Sequence, residues 1–251
     1  MPDQFSRTAL LIGRENVEKL KMRRVAVFGA GGVGGHCAEA LCRTGIGAID
    51  IYDGDVVDVT NLNRQIVATH KTIGRDKAAV MRDRLLEIAP DAVIGAYKLF
   101  YLPETADTVD LSVYDYIVDA VDTIAAKLEL VCRAADLGVP VISSMGAANK
   151  LDPTAFEAAD IYETSVCPMA RIMRGELRKR GVPGLKVVYS KERPVEIAQG
   201  DAQGDGSLVL YPQHKRTDPL SVLGSNAFVP PVAGLIMAGE VIKDLIAIRE
   251  N

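Results

Sequence analysis

A glycine-rich turn set between a short apolar run and an amphipathic one restricts the possible folds of this 251-residue chain more than any other feature. Arg24-Val-Ala-Val-Phe28 has the apolar, β-rich composition of a buried strand, and Gly29-Ala-Gly-Gly-Val-Gly34 follows at once. Val33, Cys37, Ala40 and Leu41 then recur at helical spacing until Gly45. Ala48-Ile-Asp-Ile-Tyr52 reads as a second buried strand, closed by Asp53, 19 residues beyond Gly34. Strand, tight turn, helix, strand and acid make the mononucleotide-binding half of a doubly wound sheet. Glycines let the backbone approach a phosphate, and the next helix offers unpaired N–H groups and the positive end of its dipole. Asp53 stands where a carboxylate accepts hydrogen bonds from a ribose. The expected fold is α/β and Rossmann-like: a mainly parallel sheet with helices on both faces, Gly29, Gly31, Gly32, Gly34 and Asp53 lining the nucleotide.

The residues beyond Asp53 bear on which nucleotide is bound. A helix N-terminus can hold a pyrophosphate by itself, whereas a triphosphate calls for Arg, Lys and a divalent cation. Asn61 and Arg64 are three apart, so on one helical turn they would project together. Lys77 opens a helix expected from about Arg75 to Ala89, which places its ammonium near the same mouth of the sheet. Tyr116-Ile-Val-Asp-Ala-Val-Asp122 reads as a strand delivering Asp122 to the crevice, as a Mg²⁺ ligand or phosphate-side partner. Asp119, inside that strand, reads as structural. Taken singly, these are ordinary surface charges; together they favour a triphosphate clamp over a nicotinamide dinucleotide site. A helix to Leu137, stopped by Gly138, and a strand over Val139–Ser144 complete this half.

At 48% hydrophobic content the chain can build one large core, organised as a nucleotide-binding half (1–150), a substrate-facing stretch (151–226) and a C-terminal helix (227–251). The start, Met1 to Arg7, has no apolar secretory core, and the apolar stretch Ala227–Gly239 is broken by Pro230, Pro231 and Gly234. No membrane span and a cytoplasmic location are expected. From Leu151 the pattern turns irregular, with Pro, Gly, Asp and Gln clustered over 193–206 and 212–219. Residues 171–193 hold eight basic side chains against two acidic ones, a local +6 in a chain of −4. Arg171, Arg174 and Arg178 share one helix face there, followed by Lys179 and Arg180, and Lys215 and Arg216 extend the patch. A concentrated basic face on an acidic protein suits an RNA backbone; a solvated amphipathic helix with Ile172, Met173 and Leu177 inward is the plainer alternative. None of the four cysteines forms a C-x-x-C pair, so a cysteine zinc site lacks ligands. Cys37, Cys42 and Cys132 lie on helices as packing residues. Cys167, before Pro168 at a helix start, could be a nucleophile or simply a small apolar residue.

These motifs resemble the ubiquitin-activating-type adenylyltransferases, which include the molybdopterin and thiamine sulfur-carrier enzymes. The resemblance rests on Gly29–Gly34, Asp53-x-Asp55, Asn61-Leu-Asn-Arg-Gln65, Lys77 and Asp122, and is strongest over about residues 5–150. Arg43-Thr-Gly-Ile-Gly47, Thr60–Gln65, Ile88-Ala-Pro90 and Tyr116–Asp122 make the chain most similar to the tRNA threonylcarbamoyladenosine dehydratases. Gly35-His36 departs from the serine and aromatic more usual there. The resemblance implies ATP and Mg²⁺, with Asp53 and Asp55 at the ribose side, Asn61, Arg64 and Lys77 on the phosphates, and Asp122 on the metal. It implies that Arg7 reaches the ATP of a second protomer in a homodimer. It also implies a tRNA carrying threonylcarbamoyladenosine as substrate, with a sulfur-transfer protein as a further partner. A sulfur-carrier adenylyltransferase, an NAD-dependent oxidoreductase and a non-catalytic nucleotide sensor are the alternatives.

Overall fold

The computed structural model describes residues 3–195 and 223–246. Two short helices, α1 (Ser6–Ile12) and α2 (Arg14–Lys21), lead into β1 (Arg24–Phe28), the glycine turn and α3 (Gly34–Thr44). After β2 (Ala48–Tyr52) come α4 (Lys77–Ile88), β3 (Val93–Tyr97), β4 (Tyr116–Asp119), α5 (Ile124–Leu137) and β5 (Val141–Ser144). The chain continues through β6 (Phe156–Asp160), α6 (Pro168–Lys179), β7 (Lys186–Ser190) and α7 (Val229–Ile246).

Among the described residues the strands form one sheet in the order β3-β2-β1-β4-β5-β7-β6, parallel except for β6 against β7. The strand order reverses between β1 and β4, and such a switch point opens a ligand crevice at the carboxyl ends of the strands. Alternation along β1 explains why both faces are covered. Val25 and Val27 pack with α3, α4 and α7, whereas Ala26 and Phe28 face Leu130 and Ala134 of α5. α7 lies hard against α3: a Cβ at Gly234 would sit 2.2 Å from the Val33 carbonyl oxygen, so only glycine permits the approach.

Three expectations change in detail. β4 ends at Asp119, so Asp122 sits in the loop beyond it. The stretch expected to be irregular from Leu151 carries β6, α6 and β7, which extend the nucleotide-binding sheet. The C-terminal helix, expected from about Pro231 to Arg249, begins at Val229, before the tandem prolines, which are tolerated in a first turn that needs no donors there. Of the loops expected over 193–206 and 212–219, everything from residue 196 on, with Lys215 and Arg216, lies outside the described residues.

Candidate active site

The turn after β1 is closed by backbone contacts that only glycine permits. Gly29 adopts φ +92°, and a Cβ there would lie 2.7 Å from the Ala120 carbonyl oxygen. A Cβ at Gly34 would lie 1.8 Å from the Gly29 carbonyl oxygen. The turn is thereby pressed against the start of the β4–α5 loop. The unusual Gly35-His36 pair has a local cause: a Cβ at Gly35 would crowd Ile66 at 3.1 Å. His36 Nδ1 lies 3.0 Å from the Gly32 carbonyl oxygen, and burial lowers the ring's pKa, which favours a neutral imidazole donating to that carbonyl.

Asp53 is buried and already engaged. Its Oδ2 accepts from Ala30 N at 2.7 Å and its Oδ1 from Asp55 N at 2.8 Å, which fixes the carboxylate between the glycine turn and its own loop. Burial pushes its pKa up, and Lys77 and the backbone donors pull against that. The half-exposed ring of Phe100 covers the next residue: a Cβ at Gly54 would meet the ring at 2.4 Å. An apolar wall therefore stands beside Asp53, a feature no motif in the sequence announces.

Lys77 is the first residue of α4. Its side chain is 5% exposed, and Nζ donates to Asp55 Oδ2 at 2.9 Å. Asn61 is buried at the end of a short 3₁₀ turn, Val59–Asn61, where its Oδ1 accepts from Asp58 N at 3.1 Å in a reciprocal cap. Arg64 lies half-exposed on the next turn, its stem against Gly32, where a Cβ would be 3.4 Å from Arg64 Cγ. Among the described residues its guanidinium donates only to neutral oxygens, Thr60 O at 3.0 Å and Asn63 Oδ1 at 2.9 Å. Among the described residues no carboxylate pairs with it. The glycine turn, Asp53, Asp55, Lys77 and Arg64 thus form one connected patch. Asp122 lies in the loop after β4; it is exposed and, among the described residues, accepts only from Thr123 Oγ1 at 3.3 Å. Arg7 is exposed on α1 and has no contact with this cluster among the described residues.

Two features escape a reading by motif. Asp119 and Lys127 are both fully buried, and Nζ donates to Asp119 Oδ2 at 3.0 Å, Ser143 Oγ at 3.2 Å and Ser144 O at 2.7 Å. Asp119 Oδ1 also accepts from Val121 N at 3.3 Å, so the ion pair anchors the loop that carries Asp122. The available signal was a lysine among apolar residues on the inward face of α5. Gln65, the last residue of the Asn61–Gln65 motif, is buried beside the glycine turn. Its Oε1 has no hydrogen-bond partner among the described residues, a condition that costs about 1–3 kcal/mol.

The basic residues of α6 are less uniform than their spacing suggests. Arg174 turns inward and donates to Thr164 O at 2.8 Å and to Thr164 Oγ1. Arg178 stacks over the Tyr162 ring at 5.1 Å, and Lys179 and Arg180 pair with Glu176. Arg171 is exposed; Met173 and Leu177 are buried, whereas Ile172 remains half-exposed. Cys167 precedes α6 but is 2% exposed, packed in an apolar cluster with Ala170 and Met173.

Comparison with known proteins agrees with this architecture. The family model described as "ThiF family" matches residues 5–251. The tRNA threonylcarbamoyladenosine dehydratase of Bacillus subtilis is 44% identical over 247 residues, covering 98% of this chain and 96% of that protein. The dehydratase of Escherichia coli is 31% identical over 252 residues, covering 97% and 94%. Its structure solved in complex with ATP superposes with a TM-score of 0.81 at 30% identity, covering 97% of this chain and 94% of that one. Family match and end-to-end likeness lead to one conclusion: the chain belongs to the ThiF family, on the branch of the tRNA threonylcarbamoyladenosine dehydratases.

Proposed function

We propose that this protein is an ATP-dependent, AMP-forming enzyme that cyclises threonylcarbamoyladenosine in tRNA, with net loss of one water. The observation that carries the reading is the phosphate patch: a glycine turn flanked by Lys77 and by an Arg64 guanidinium without a carboxylate partner among the described residues. A nicotinamide dinucleotide would leave both cations without purpose. A relative with the same whole-chain architecture was solved with ATP.

The substrate's threonyl carboxylate attacks the α-phosphorus of ATP, the bond to pyrophosphate breaks, and an acyl-adenylate forms. Arg64 and Lys77 lie where negative charge grows on the phosphoryl oxygens, and stabilising charge that appears only in the transition state is what accelerates the step. Asp53 receives the ribose hydroxyls, with Phe100 as an apolar wall beside it. The tethered ureido group then attacks the activated carbonyl, loses its proton and expels AMP. Because the nucleophile is intramolecular, proximity supplies much of this second step and no enzyme thiol is needed. Cys167, buried in its cluster, fits that economy.

Asp122 fits Mg²⁺. Among the described residues no three acidic, His or Cys side chains converge, and Mg²⁺ is commonly held by one or two carboxylates together with substrate phosphates. When bound, the ion would neutralise part of the polyphosphate charge. A homodimer is supported by α1, which buries none of its residues and leaves Leu10 at 88% and Leu11 at 86% exposed, with Met22 at 83%. A second copy covering that surface would bring an Arg7 with it. Arg171 and Arg178 are available to tRNA phosphates. A cytoplasmic location belongs to this reading as the sequence's own expectation, and a sulfur-transfer partner through the resemblance.

The deciding experiment incubates the protein with ATP, Mg²⁺ and tRNA carrying the modification, then weighs the digested nucleoside. Loss of the mass of one water, with AMP and pyrophosphate in equal amounts, is expected. An unchanged nucleoside overturns the assignment.

A further inference from the structure

Arg64 is held from one side only. Thr60 O and Asn63 Oδ1 both accept from the same nitrogen, Nη1, at 3.0 and 2.9 Å. The Nε and Nη2 edge of the guanidinium is thereby left without a partner among the described residues and available to phosphate. The far end of the Asn63 carboxamide reaches across the chain: Nδ2 donates to Ser225 O at 3.0 Å, 162 residues away in sequence. Exchanging the two ends would set oxygen against oxygen and N–H against N–H, so only this orientation satisfies both bonds.

Ser225 sits in a short segment tied down on both sides before α7. Asn149 N donates to Gly224 O at 2.9 Å, and Gly224 N donates to Asn149 Oδ1 at 2.6 Å. Asn226 Nδ2 donates to Lys150 O at 2.8 Å, while its Oδ1 accepts at 2.8 Å from N of Val229, the first residue of α7. The same junction closes over the glycine turn, because a Cβ at Gly32 would lie 3.2 Å from Pro230 Cβ and 3.4 Å from Arg64 Cγ. The carbonyl that holds Asn63 is therefore a fixed point, set by the loop after β5 and by the start of α7.

We propose that Asn63 is a positioning residue that transmits the placement of the 224–226 segment to the Arg64 guanidinium. The segment returning from the expected substrate-facing stretch thus sets one arm of the phosphate clamp. This inference rests on the ATP reading above and deepens it by naming what orients the arginine.

Asn63→Ala should lower kcat for tRNA-dependent pyrophosphate release about tenfold and leave the ATP KM within about twofold, because the arginine acts on charge that grows in the transition state. Thr60 O still holds Nη1, which keeps the loss below that of Arg64→Ala. Only exposed hydrogen bonds are lost, so the melting temperature should fall by no more than about 2–4 °C. Asn63→Ser serves the same comparison if the alanine variant does not fold. The deciding step adds Asn63→Ala to Arg64→Ala. A residue that works through Arg64 then has nothing left to position, and the double variant should match Arg64→Ala within about twofold. A purely structural role would repeat the loss in both backgrounds, and that result overturns the proposal, as does a wild-type kcat in Asn63→Ala. Wild-type protein that releases no pyrophosphate with modified tRNA defeats the proposed function and this inference with it; additive losses on an active wild type defeat only the role of Asn63.

Discussion

Lys77 and Asp55 form an ion pair of unequal exposure: 2.9 Å separates Nζ from Oδ2, the lysine side chain is 5% exposed and the aspartate 38%. The carboxylate can turn to water without leaving the fold, whereas the ammonium stays at the crevice. The pair can therefore open toward an incoming phosphate at little expense. Lys77→Met should lower turnover by about a hundredfold or more, as removing a charge that stabilises the transition state does. Thermal stability should change little, because Asp55 is left hydrated. A variant that unfolds would mean that Lys77 is a structural residue first.

Arg64 is oriented by Thr60 O and Asn63 Oδ1 and packed on Gly32. Arg64→Lys keeps the charge but loses the planar fork, so it should recover only a small part of the roughly hundredfold loss expected for Arg64→Ala. Pyrophosphate release under saturating tRNA measures this directly. Full recovery by lysine would show that charge alone suffices.

The buried Asp119–Lys127 pair predicts a different signature. Lys127→Ala leaves a carboxylate without compensation in the core, and such losses run to about 3–5 kcal/mol. Asp119→Asn combined with Lys127→Met removes both charges and should restore most of the stability in urea denaturation. If the double variant is as unstable as the single one, the pair is not the source of the penalty.

The nucleotide half was legible in the sequence because its strands are buried on both faces. β1 reads as an apolar run after Arg24 and β2 as one interrupted by Asp50, both occupy the expected residues, and Gly45 and Gly138 end their helices in the left-handed conformation. β6 was hidden for the opposite reason. Phe-Glu-Ala-Ala-Asp on an antiparallel edge has neither a continuous apolar run nor β-branched residues. The site divided in the same way. Asp53 and Lys77 could be named from spacing, but the tie between Lys77 and Asp55 could not, nor could the inward turn of Arg174 toward Thr164. Those depend on where a side chain finds a partner in space, which periodicity does not encode.

Asp53 predicts a pH dependence with a definite sign. Burial raises its folded pKa above the ordinary 3.8, so the unfolded chain releases this proton first as pH increases. The contribution to stability is fully present below 3.8 and is lost as pH rises through the folded value. Asp53→Asn should therefore flatten the urea midpoint against pH while weakening ATP, at a constant cost in stability, because its amide can accept from only one of the Ala30 and Asp55 N–H groups. An unchanged pH profile would show that the two backbone donors already offset burial.

On α6, Arg171 is exposed and Arg174 is committed to Thr164, so equal spacing conceals unequal roles. Arg171→Glu should weaken tRNA binding and reduce its salt slope by about one, as expected when a single phosphate is no longer neutralised. Arg174→Ala should mainly lower the melting temperature. The reverse outcome would move the RNA surface away from the exposed side of this helix.

The exposed leucines of α1 and the separation of Arg7 from its own chain's phosphate patch lead to a complementation test. If Arg7 serves the neighbouring protomer, Arg7→Ala and Lys77→Ala proteins should each be nearly inactive alone. Mixed and allowed to exchange, half the dimers are hybrids, and each hybrid holds one site with an intact Lys77 facing an intact Arg7. Activity should return to about a quarter of wild type, as two-fold symmetry and random pairing require. Recovery also depends on contact between copies, so Leu10→Asp with Leu11→Asp, placed in both partners, should abolish it and yield monomers in sedimentation. If the mixture stays inactive while hybrids form, Arg7 does not act across the interface.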